Sequence, residues 1–248
     1  MKDKIQFELS RIEREYGVQI LHAAEAGARA WGFAPSHSGH DVRFLYTAQA
    51  GKSALVESSG FLEIVRPGLT LRGCDLRRTL DLLLSSHASL LEWLRSPVVY
   101  AEDPRFASRL RALAGRFFDA EQGIETYRKL AQRVQCEYLN LGNPPAGKFL
   151  EAVRALLAIR YIERNRIPPP VGITNLVDAT VDDVSLRFAI ADLILENRMG
   201  GKVKSAKDYE IVKEFLGREF SRPREYLCDR DAPRASVITR FSNYLKVA

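Results

Sequence analysis

The chain is poor in residues that staple or chelate. It has three cysteines in 248 residues, Cys74, Cys136 and Cys228, spread far apart and without a Cys-x-x-Cys pair. That spacing supports neither a disulfide framework nor a zinc motif. Histidines number four, His22, His37, His40 and His87. Only His37 and His40 are close, and two loop histidines do not make a metal site. Long apolar runs are absent as well. The run from Leu80 to Leu84 contains Asp81 and is far shorter than the roughly 20 residues that cross a bilayer. The first residues, MKDKIQFELSRIEREYG, carry charge throughout, which excludes the apolar centre of a secretory signal. No internal repeat and no low-complexity tract occurs. A cytoplasmic protein with no membrane association is expected.

Present instead is an ordinary soluble composition, 46% hydrophobic and 27% charged, with a net charge of +6 and a pI near 9.3. A basic chain attracts polyanions, of which nucleic acid is the commonest. The charge is spread along the chain rather than gathered in a tail.

The apolar period divides the chain into two parts. Ile5, Leu9, Ile12 and Tyr16 recur at helical spacing, and Gly17 ends that helix. VQILHAAEAG reads as a buried strand, RAWGF as a short turn or helix, and PSHSGH as a loop. DVRFLYTA is a second strand, with Val42, Phe44 and Tyr46 on one face and Asp41, Arg43 and Leu45 on the other. SALVE, FLEIVR and GLTLRG read as further strands, with Pro67-Gly68 as a tight turn. Asp75 is placed to cap a helix over LRRTLDLLLSS, and SLLEWLRS is a second helix stopped by Pro97. From Asp103 onward the pattern is almost wholly helical, broken by the prolines at 168 to 170. Ser205 and Asp208 form a cap signal for the last helix, and Gly200-Gly201-Lys202 reads as a helix stop followed by linker. The expected architecture is α+β: an α/β domain over residues 1–102 and a helical domain over 103–248.

A strand, a Gly-x-Arg turn, a loop and an Asp-bearing strand can together handle phosphate. Glycine lets the backbone approach a phosphate closely, and an Asp on the next strand can hold Mg²⁺ against it. Gly27, Arg29 and Asp41 are of those residue types. Alone the pattern is weak, since a buried strand pair with a turn glycine also satisfies it. The wording is more specific. E-A-G-A-R-A-W-G-F, D-V-R-F, G-C-D-L-R-R-T-L, L-L-E-W-L-R-S-P-V-V-Y and K-F-L-E-A-V-R-A-L-L-A follow one another in order. This series resembles the polymerase-beta-like nucleotidyltransferases associated with bacterial RNA repair, found alongside RNA ligases.

The resemblance implies a nucleotidyltransferase fold that moves a nucleotidyl group from an NTP to an acceptor, RNA in this setting. It also implies Mg²⁺ or Mn²⁺ as cofactor and a ligase or kinase of the same pathway as partner. It assigns Asp41 to catalysis and metal binding; Glu25, near the turn, and Glu63, on a neighbouring expected strand, are candidate substitute carboxylates by position. Gly27, Ala28, Arg29, Arg43, Arg78, Lys148 and Arg154 are its nucleotide-binding candidates. The chain also departs from the family pattern. Gly27-Ala28 stands for Gly-Ser, so a hydroxyl donor to phosphate is missing. Gly39-His40-Asp41 stands for Asp-x-Asp, and Thr70 aligns where a third carboxylate belongs. One carboxylate of three remains. Two divalent ions need more than that, and ligand loss of this kind costs on the order of 10³-fold in rate. An inactive RNA- or nucleotide-binding component, or a toxin–antitoxin-type regulator, is the other expectation.

Among the remaining residues, the aromatics Trp31, Phe33 and Trp93 suit a core more often than a base stack. Arg105, Arg109 and Arg116 share a helix face, which is more commonly solvated than RNA-facing.

Overall fold

The computed structural model describes residues 1–48, 60–139, 144–200 and 206–222. The expected strand SALVE and the expected cap at Ser205 lie outside them. Helix α1 (Lys2–Tyr16) buries Ile5, Leu9 and Ile12 and ends at Gly17, whose φ of 62° lets its N–H turn back onto the Glu13 carbonyl. Among the described residues five strands follow: β1 (Val18–Glu25), β2 (His40–Ala48), β3 (Phe61–Arg66), β4 (Leu69–Asp75) and β5 (Val99–Glu102). They form one sheet in the order β3-β4-β2-β1-β5. The β2–β4 pairing is parallel and the other three are antiparallel. Strand β5 has no counterpart in the sequence reading. Its four residues are too few for alternation to show.

Period-2 burial gives the sheet two unlike faces. Val42, Phe44 and Tyr46 of β2 pack with Leu62, Ile64, Leu69 and Leu71 against the apolar stripe of α1. On the other face Leu45 and Cys74 meet α3 (Leu76–Leu84), α4 (Ala88–Leu94) and α5 (Pro104–Arg116). Asp75 caps α3 by accepting from the Arg78 N–H at 2.7 Å. Asp103 caps α5 through the N–H groups of Arg105 and Phe106, both at 2.9 Å. Leu110 and Ala114 of α5 belong to the core under the sheet, so this helix packs with the α/β unit although it follows residue 102.

The second core is helical. It joins α6 (Ala120–Val134), α7 (Ala146–Asn165), α8 (Ile173–Thr180), α9 (Val184–Arg198) and α10 (Ala206–Phe220). Twelve of the 20 residues of α7 are buried, which makes it the central helix. The two cores are pinned together. Phe33 and Ala88 sit within the helical core, and the Asn197 side chain donates to the Phe33 carbonyl at 2.6 Å. No described helix is long and apolar enough to cross a membrane.

Candidate functional site

An open cleft of about 720 Å³ lies between the sheet unit and the helices. That is within the size range of small-molecule sites. The sheet side contributes Ala26, Gly27, Asp41 and Arg43. The turn at Gly27, with a φ of 62°, opens α2 (Gly27–Trp31). A β-carbon added at Gly27 would stand only 3.9 Å from the Asp41 carboxylate, so this turn passes directly over the surviving Asp. The helical side contributes a face of α6, with Thr126, Lys129 and Arg133 at helical spacing, together with Glu151 and Arg154 of α7. Trp31 and Trp93, the chain's only two tryptophans, both line the cleft.

Asp41 is held by two arginines. The Arg43 Nη2 lies 2.8 Å from its Oδ2, and the Arg72 Nη1 lies 3.7 Å from its Oδ1. The register explains the grouping. In the parallel β2–β4 pair Asp41 stands opposite Thr70, and Arg43 opposite Arg72. All four side chains therefore leave the same face of the sheet. The Arg43 guanidinium also stacks 5.6 Å from the Trp93 ring centroid. Two atoms here are buried without a hydrogen-bond partner, Asp41 Oδ1 and Arg43 Nε.

Each of the other two candidate carboxylates is already engaged. Glu25 is fully buried. Its Oε1 accepts from the Asp41 N–H at 2.9 Å, while its Oε2 accepts from the Tyr100 hydroxyl and from His40 Nδ1, the latter at 2.8 Å. Burial and then the Glu25 carboxylate push the Tyr100 hydroxyl far above its ordinary pKa, so it remains a donor. Glu63 is exposed and paired with Arg72 Nε at 2.6 Å. No group of three or more His, Cys, Asp or Glu able to hold a metal ion occurs among the described residues. Side chains already closed by cationic or N–H partners are poor ligands, and the donor set does not fit two divalent ions. Gly39 adds a steric reason. A β-carbon there would meet the Gly68 carbonyl oxygen at 3.2 Å, so an Asp at that position needs the adjoining turn to yield.

The other expected binding residues divide. Ala28 packs against the helical core. Arg29 donates to the carbonyls of Gly39 at 3.0 Å and Ser36 at 3.3 Å, and to that of Ser38, which organises the 36–39 loop. Arg78 lies at the far end of the sheet, with its guanidinium 5.2 Å from the Phe61 ring centroid. Lys148 is paired with Glu151 at 2.7 Å. Arg154 lines the cleft but is 2% exposed. It donates to Glu92 at 2.8 Å and to the Val171 carbonyl at 2.8 Å, and its plane lies 4.8 Å from the Trp31 ring. Glu92 also accepts from the Trp31 indole at 2.9 Å. Arg154 is thus first a pin between the two cores, with one nitrogen, Nη2, left without a hydrogen-bond partner.

Sequence reasoning missed Arg72, Glu92, Tyr100, Lys129 and Arg133. Arg72 was within reach, because it shares strand parity with Thr70. Lys129 and Arg133 carried only the four-residue spacing of any solvated helix face.

A five-stranded mixed sheet carrying a glycine turn and an Asp strand, closed by a helical unit, defines a polymerase-beta-like nucleotidyltransferase fold. The chain belongs to the RNA repair pathway DNA polymerase beta family, whose model matches residues 1–246. It is 31% identical over 247 residues to the uncharacterized protein YcgL of Bacillus subtilis (strain 168), covering 99% of this chain and 95% of that one. Among solved structures it is similar to a nucleotidyltransferase-like protein from Exiguobacterium sibiricum 255-15, at 14% identity and a TM-score of 0.34, over 97% of this chain and 91% of that one.

Proposed function

We propose that the cleft binds a nucleoside triphosphate, with RNA as the partner in whose repair the protein takes part, and that two-metal nucleotidyl transfer is weakened or lost. One observation supports this reading above the others. A nucleotide-sized cleft gathers cationic and aromatic groups from both units, yet of the three candidate metal carboxylates only Asp41 lines it, and that one is already paired with arginine. Arg43, Lys129 and Arg133 supply charge for phosphates. Trp93 and Trp31 offer faces for a base. The Gly27 turn leaves room beside Asp41. A ligase or kinase of the repair pathway would then act on the RNA that this protein holds.

A second reading keeps some transfer. Asp41 Oδ1 has no hydrogen-bond partner and could take one ion on one side, with water and substrate phosphates completing its shell. Asp41 would then be the catalytic ligand.

Binding is measurable directly, because both tryptophans line the cleft. Titration with each NTP should quench or shift intrinsic fluorescence. The double variant Lys129→Ala/Arg133→Ala should weaken binding by roughly tenfold, as expected for loss of charge-assisted contacts. Equal affinity in that variant would place the nucleotide elsewhere and sink the reading.

A further inference from the structure

The disagreement between this donor set and a two-metal site has a chemical content of its own. The guanidiniums of Arg43 and Arg72 stand one at each oxygen of the same carboxylate, at 2.8 and 3.7 Å. In a two-metal site the ions themselves flank a shared carboxylate in this way. The charges correspond too. Two divalent ions against three carboxylates leave one positive unit, and so do two guanidiniums against one carboxylate. Glu63 pairs with Arg72 from the solvent side, with 54% of its side chain exposed, where water screens it. Arg43 Nε is buried with no hydrogen-bond partner, and so is Arg154 Nη2 across the cleft. Planar guanidiniums match phosphate oxygens in pairs.

We propose that Arg43 and Arg72 take the place of the two metal ions, so that the cleft binds its nucleoside triphosphate in the metal-free form. This inference rests on the proposed nucleotide-binding reading of the cleft and adds the ionic form of the ligand. A magnesium ion on the phosphates competes with the arginines in two ways. It lowers the negative charge they see, and it occupies the oxygens they would bind. The built-in cations stabilise bound charge but cannot activate a hydroxyl as a metal ion does. The arrangement therefore favours binding over turnover.

The test is a fluorescence titration of the full chain with ATP in EDTA and again in excess Mg²⁺, with inorganic tripolyphosphate as a separate arm. The expected result is an affinity about three- to tenfold higher in EDTA, with tripolyphosphate competing against ATP. Arg72→Gln should lower the EDTA affinity about tenfold and erase the difference between the two conditions. Arg72 is half-exposed, so this variant should fold, and circular dichroism checks that it does. Lys213→Gln, on α10 and paired with Glu210 outside the cleft lining, should bind as wild type. Binding that needs Mg²⁺, or an Arg72→Gln variant that keeps the wild-type EDTA affinity, overturns the proposal while leaving nucleotide binding intact. No binding in either condition overturns both.

Discussion

Asp41 draws its chemistry from the residues around it. Thr70 stands opposite it in register, on a strand about 4.8 Å away. Thr70→Asp would therefore place two carboxylates close enough to repel unless a cation sits between them. In that variant Mg²⁺ should raise the melting temperature, by about 1.4 kcal/mol of stabilisation at ten times the dissociation constant. Wild type should show no such rise. A melting curve of Thr70→Asp that ignores Mg²⁺ would mean that the two side chains do not converge. Gly39→Asp is the poorer restoration, because the Gly68 carbonyl crowds that position. Cysteine chemistry is separable. Burial pushes the Cys74 thiol up to about 11, whereas Cys136 is exposed. In a Cys228→Ser background a disulfide reagent should titrate one thiol quickly and the second only on unfolding. Two fast thiols would contradict the burial of Cys74.

Among the elements, α4 and α7 are joined by the Glu92–Arg154 pair, 2.8 Å apart, with Arg154 2% exposed. Removing one partner leaves the other charge buried. Arg154→Met should cost about 3–5 kcal/mol in urea unfolding, and Glu92→Leu/Arg154→Met should recover much of that loss. Additive losses in the double variant would show that the two side chains do not act as a pair. The elements were also the most legible part of the sequence. Helix α1, strands β1 to β4 and the Asp75 cap announced themselves through period and cap chemistry, which act within a few residues. Strand β5 did not, because its pairing partner β1 is some 80 residues away and its length hides alternation. The same limit held for the site. Gly27, Asp41 and Arg43 were found from local wording and do line the cleft. Arg29 was singled out by residue type and Arg154 by the family resemblance; tertiary packing engages one with loop carbonyls and the other with Glu92. Arg72 became visible only once the parallel β2–β4 register was known.

For the whole molecule, stability should depend on pH through buried histidines. His22 is fully buried, with Nε2 3.0 Å from the Trp93 carbonyl and Nδ1 3.2 Å from Glu102. Burial lowers its pKa from 6.5 despite the nearby Glu102, and burial lowers that of His87 as well. A depressed folded-state value means that the unfolded chain binds protons first. The stabilisation is thus present above about pH 6.5 and is lost as pH falls through the lowered values. The urea midpoint should drop between pH 7 and 5, and His22→Gln/His87→Gln should flatten that drop. An unchanged slope in the double variant would assign the pH dependence to other groups.

The family and the fold are those of polymerase-beta-like nucleotidyltransferases, while the carboxylate count points away from metal-assisted transfer. The most direct test is a partition of label. The protein would be incubated with each α-labelled NTP, RNA of defined 3′ and 5′ ends, and Mg²⁺ or Mn²⁺, with Asp41→Ala alongside. Protein-bound and RNA-linked label would then be separated under denaturing conditions. The account predicts label that binds the native protein and is released on denaturation, with none covalently attached to RNA. Label joined to RNA by wild type and lost in Asp41→Ala would contradict it, and would show that one Asp suffices for transfer in this cleft.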